Sequence, residues 1–85
     1  MAIWKYTLAL TDVQVVPMPA DAVMLSVANQ RGSLCLWAMV DPSQGMASRT
    51  IEIFGTGHVL PPAVRSFIGT VVMDEFVWHV FEERG

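Results

Sequence analysis

The stretch "VMLSVANQRGSLCLWAMV", Val23 to Val40, holds two extended apolar runs, Val23 to Ala28 and Ser33 to Val40, joined by the polar link "NQRG". Gly32 takes a positive φ at no steric cost, so the link predicts a tight β-hairpin. Both runs are apolar at successive positions, as is "FIGTVVM" further along the chain. A two-layer sheet with one solvated face does not require that pattern. The hairpin therefore sets the fold class as β and raises the question of what covers the second face.

Period-two alternation continues on both sides of this hairpin, and no segment offers the i, i+3, i+4, i+7 spacing of an amphipathic helix. From Ile3 to Leu10 the alternation places Trp4, Tyr6, Leu8 and Leu10 on one face and Lys5 and Thr7 on the other. Thr11-Asp12 then supplies turn chemistry into Val13 to Val16, which predicts that the first two strands form a hairpin. In "PMPADA" the prolines remove ladder donors, so the chain is expected to leave the sheet or cross an edge there. Asp41-Pro42 ends the fourth strand, and "DPSQGMAS" reads as a surface loop. Arg49 to Phe54 resumes alternation, "PPAVR" allows a single helical turn, and Phe67 to Met73 with Phe76 to Glu82 form a last pair across Asp74-Glu75. The expectation is an all-β fold: a small antiparallel sandwich or barrel of about six to seven strands.

The chain has 85 residues, enough for one core, and is expected to form a single domain over residues 1–85. It is 53% hydrophobic and 15% charged, against about 45–50% and about 25% in soluble domains. Apolar side chains outnumber interior positions, which predicts a homo-oligomer or another protein interface. Every apolar run is broken well short of the ~18 residues of a spanning helix, and "MAIWKYTLAL" closes on no cleavage pattern. The expected setting is the cytoplasm, with no membrane partner. A net charge of −3 and five scattered Lys and Arg residues offer no basic stripe, so nucleic acid is not an expected partner. The single cysteine, Cys35, cannot form an internal disulfide and reads as a small buried hydrophobe.

The stretch "FGTGHVLPP", Phe54 to Pro62, is the one candidate for ligand chemistry. Gly55 and Gly57 allow backbone amides to approach an anion, Thr56 adds a hydroxyl, and His58 adds a group that titrates near neutral pH. No lysine or helix N-terminus supports a phosphate there, and a turn ending a strand is the simpler reading. Trp78 and His79, in "FVWHVFEE", complete the candidate ligand-binding set, Trp78 as a stacking face. Trp4 and Trp37 read as core or interface anchors. No metal-ligand spacing, cofactor motif or nucleophile elbow is present, and no catalytic residue is assigned. The chain is expected not to be an enzyme.

Taken together, "WKYTL", "QRGSLCLWAMVDP", "GTGH" and "VWHVFEE" resemble a family of small proteins of unknown function encoded by bacteriophages, prophages and bacteria. The resemblance spans nearly the whole chain and implies an accessory protein of phage or mobile-element character, acting in the cytoplasm of its bacterial host. It brings no catalytic residues. The resulting expectation is protein–protein binding, with inhibition of a host process as one outcome; the alternative is an oligomer that sequesters a small, nucleotide-like ligand at the Gly55–His58 loop.

Overall fold

The computed structural model describes all 85 residues and contains seven strands and no helix. The strands are β1 (Ala2–Leu8), β2 (Val13–Pro19), β3 (Val23–Gln30), β4 (Ser33–Val40), β5 (Met46–Gly55), β6 (Arg65–Met73) and β7 (Phe76–Glu83). They form two antiparallel sheets, one of order β1-β4-β3 and one of order β2-β5-β7-β6. With no helix at all, none is long and apolar enough to cross a membrane.

The central hairpin forms as its turn chemistry dictates, with β4 at Ser33–Val40 as expected. Gln30 pairs with Ser33, so the link is only Arg31-Gly32, at φ 53° and 86°. Two successive positive φ values are the geometry whose twist matches paired strands. Asn29 steadies the turn, its Oδ1 accepting the Gly32 N–H at 2.8 Å. A second two-residue turn, with Asp74 at φ 56°, joins β6 to β7.

The expected β1–β2 hairpin does not form. β1 pairs with β4 and β2 with β5, so the two strands belong to different sheets. The first strand ends at Leu8, which enters the core, rather than at Leu10, which is exposed. Gln14 then holds the corner, donating from Nε2 to the Ala9 carbonyl at 2.7 Å and accepting the Ala9 N–H at 3.1 Å. The Ile53 N–H donates to the Asp12 carbonyl and draws the chain onto β5. The turn chemistry at Thr11-Asp12 is real, but it changes sheets instead of reversing a strand.

Two further expectations are corrected. The chain does not leave the sheet at "PMPADA": β2 continues through Pro17 and Pro19, paired with Ser48 and Met46, and β5 begins at Met46 inside the expected loop. This is possible because β2 is an edge strand, where a proline's missing N–H can face away from the ladder. "PPAVR" forms no helical turn; it is an irregular connection that bends at Pro62, and its Arg65 begins β6.

One core lies between the sheets. Its largest fully buried members are Met18 (β2), Leu34, Leu36 and Val40 (β4), Ile51 (β5) and Val80 (β7). Strands β3 and β6 carry one bulge each, leaving Leu25 and Ile68 outside the regular pairing. Bulges bend a strand and increase its twist. Along this flank the sheets meet closely: a Cβ placed on Gly69 of β6 would lie 2.8 Å from Val27 Cγ2 of β3. The sheets do not close into a barrel, because β1 and β2 each keep one unpaired edge.

Candidate functional site

Gly55 to His58 forms a β-turn that ends β5. The His58 N–H donates to the Gly55 carbonyl at 3.1 Å, and Gly57, the third residue, has φ 91°. That is the position a type II turn reserves for glycine. The His58 side chain folds back over the turn, its Nδ1 accepting the Gly55 N–H at 3.1 Å. An accepting Nδ1 leaves the ring proton of the neutral imidazole on Nε2. Gly55 allows this packing, since a Cβ there would meet His58 Cε1 at 3.1 Å and Trp78 Cζ3 at 3.3 Å.

All six residues of the candidate set lie at this end of the four-stranded sheet, but on two sides: Trp78 packs toward the core beside His58, while His79, the next residue of the strand, faces outward with Thr56. Gly55 is opposite Trp78 in the β5–β7 register, and His79 is opposite Phe54. The two histidines have different partners. His79 lies between two threonine hydroxyls, Thr56 Oγ1 at 2.8 Å from Nε2 and Thr70 Oγ1 at 3.0 Å from Nδ1. Trp78 stacks on Phe76 with centroids 5.8 Å apart. Three of the four histidine ring nitrogens are thus engaged within the protein, and neither ring is hydrogen-bonded to a carboxylate or serine. The arrangement closes a turn and ties β5, β6 and β7 together.

A groove opens at the other end of the sheets, between the start of β3 and the start of β6. It has a volume of about 730 Å³ and is lined by Arg49, Glu82, Arg84, Asp21 and Ser66 among others. Arg49 and Glu82 lie on the inward face, where Arg49 donates from Nε and Nη2 to the two carboxylate oxygens and from Nη1 to the Ala22 carbonyl at 2.8 Å. This fork pairs the carboxylate and also anchors the β2–β3 connection. The Glu82 hydrogen bond holds the Arg49 pKa above its ordinary value. Arg84 approaches Glu82 at 3.6 Å from the rim. No three His, Cys, Asp or Glu side chains converge as a metal site.

The outer face of the four-stranded sheet carries an aromatic cluster. Phe81 meets Phe54 and Phe67 edge to face, at 5.8 and 5.3 Å between centroids. Arg65 lies over the Phe54 ring at 5.3 Å and pairs with Glu52 at 2.9 Å. Phe67 is 60% exposed, and on the same face Val13 and Val15 are exposed on β2 and Val72 is 64% exposed beyond the Thr70–His79 pair. Neither the groove nor this cluster is readable from the sequence, since both depend on cross-strand register. The one signal is the occurrence of phenylalanines at alternate-face positions of β5, β6 and β7.

These features define a small two-sheet β protein with a polar groove at one end and an apolar, aromatic outer face. A domain of unknown function (DUF7352) matches residues 1–85, and the chain belongs to that family. No curated protein and no solved structure matches it.

Proposed function

We propose that this chain is a non-enzymatic accessory protein of phage or mobile-element type that acts in the bacterial cytoplasm by binding a host or phage protein. The observation that carries this reading is the outer face of the four-stranded sheet, which holds an aromatic cluster and exposes Val13, Val15, Phe67 and Val72. Aromatic anchors beside a charged pair such as Arg65–Glu52 are the ordinary make-up of a protein-binding patch. The phage setting rests on the family resemblance of the sequence, and inhibition of a host process follows as the effect of such binding.

Affinity capture from a bacterial host, using the wild type and Val72→Glu in parallel, tests this reading. Val72 is exposed, so the variant keeps its fold, and the expected result is one captured protein lost with Val72→Glu. Equal recovery with both, or none with either, contradicts it.

The placing of His58 and Trp78 on one side of the Gly55–His58 turn and of Thr56 and His79 on the other supports a second reading, a small nucleotide-like ligand held at that turn. It predicts that His58→Ala releases co-purifying mass, read by native mass spectrometry, without lowering thermal stability. The turn-closing bond from the Gly55 N–H predicts the reverse, lowered stability with no change in bound mass.

A further inference from the structure

The two sheets have four edge strands, β1, β3, β2 and β6. An unpaired edge is a template for another strand, and stable proteins blunt their edges with proline, bulges, charge or cover. β3 and β6 each carry a bulge and face one another where Gly69 meets Val27. β2 carries Pro17 and Pro19, which remove two donors from its free side. β1 has neither proline nor bulge in its seven residues, and no backbone hydrogen bond outside its ladder with β4 reaches it; its one charge is Lys5.

Lysine is the usual guard of such an edge. The one lysine of β1, Lys5, is drawn away from it, its Nζ donating across β4 to Gln30 Oε1 of β3 at 2.8 Å. Trp4 shares the inward side of β1 with Ala2, Tyr6 and Leu8, yet it is 40% exposed because nothing flanks it at the open edge. Ile3, on the opposite side, is 64% exposed. The free strand thus leaves one large apolar side chain uncovered on each face, Trp4 on the inner and Ile3 on the outer, where Lys5 and Thr7 follow it.

We propose that β1 pairs antiparallel with β1 of a second copy of this chain about a two-fold axis, joining two three-stranded sheets into one of six strands. Charge favours a second copy. The chain carries a net charge of −3, but Lys5 is the only charged residue in β1, β3 and β4, and every carboxylate lies in the other sheet or in a loop. Two copies thus meet through the part of the surface that is almost free of charge. A two-fold interface is self-complementary and uses one edge from each copy, so the assembly closes as a dimer with no free β1 edge remaining. Strand pairing keeps like faces together, and an axis at Trp4 sets the two indoles against each other with Ile3 opposite Lys5 of the second copy. An axis at Lys5 would set like charges opposite.

This inference gives the self-association expected from composition a specific surface, and it is separate from the outer face proposed above to bind another protein. The test uses the pure protein alone, so its failure leaves that binding reading standing, and the reverse holds equally. Sedimentation equilibrium of the wild type should give twice the 9.4 kDa chain mass. Trp4→Glu, which sets carboxylates against each other at the axis, should sediment as the single chain with an unchanged far-ultraviolet spectrum. Val15→Glu, on the exposed side of β2, should remain a dimer. A wild type that stays monomeric when concentrated overturns the proposal, as does a folded Trp4→Glu that still dimerises or a dimer abolished by Val15→Glu. Should Trp4→Glu not fold, hydrogen exchange on the wild type decides: protection of β1 amides that increases with concentration supports the pairing, and protection of any other edge instead overturns it.

Discussion

Gly69 and the Arg49–Glu82 pair show how much of this fold depends on single residues. At Gly69 the absent side chain lets β6 approach β3, because a methyl group there would overlap Val27 Cγ2, on a side chain stiff at χ1. Gly69→Ala is expected to cost about 1–3 kcal/mol by overpacking, and Val27→Ala in the same chain should recover part of that loss. A double-mutant cycle by urea denaturation checks it, and additive losses would contradict the contact. Glu82 is 5% exposed and neutralises Arg49 within the groove. Glu82→Ala strands a half-enclosed guanidinium and should cost an amount toward the lower end of about 3–5 kcal/mol, because Arg49 retains some access to water. Equilibrium unfolding measures this; a loss no larger than that of a surface pair would show that the fork contributes little. Cys35 is legible in the sequence as a buried thiol and is buried in the structure. The Arg49–Glu82 contact is not, since those residues lie 33 positions apart and only the β5–β7 register brings them together.

Among the elements, the β3–β4 hairpin is legible because its turn is local. Arg31-Gly32 carries the information in two adjacent residues and brings the flanking apolar runs directly together. Arg31 adopts φ 53°, a region that costs most L-residues about 1–2 kcal/mol and asparagine less. Arg31→Asn creates the favoured Asn-Gly turn and should raise stability by about 0.5–1 kcal/mol. Thermal and urea melts measure this, and an unchanged or lower midpoint would contradict the assigned turn. The β1–β2 connection was misread for a physical reason: Thr11-Asp12 offers the same turn chemistry whether the chain reverses in one sheet or crosses to another. What decides is the destination of Leu8 and the Gln14 bonds to Ala9, and both depend on contacts the local sequence does not specify. The prolines of β2 likewise read as a break, because whether a proline is tolerated depends on which side of its strand is paired.

At the scale of the whole molecule, the surplus of apolar residues in the composition has a location. Part of it forms the core, part lies with the aromatic cluster on the outer face of the four-stranded sheet, and part lies at the free edge of β1. The sequence indicates that surplus, since alternation fails in several strands, but it does not place it, because edge and centre strands are assigned only by topology. The candidate turn at Gly55–His58 is legible as a turn, but not that its two sides differ, with His58 beside Trp78 and Thr56 bonded to His79. The groove formed by Arg49 and Glu82 at the opposite end carries no motif. The claim that most depends on this topology is that β1 is the one unguarded edge and pairs with its own copy. Amide hydrogen exchange of the unmodified chain, followed at low and high protein concentration, tests it most directly. Higher concentration is expected to slow exchange in Ala2–Leu8 and to leave the free edge of β2 unchanged; equal exchange of β1 at both concentrations would contradict the pairing.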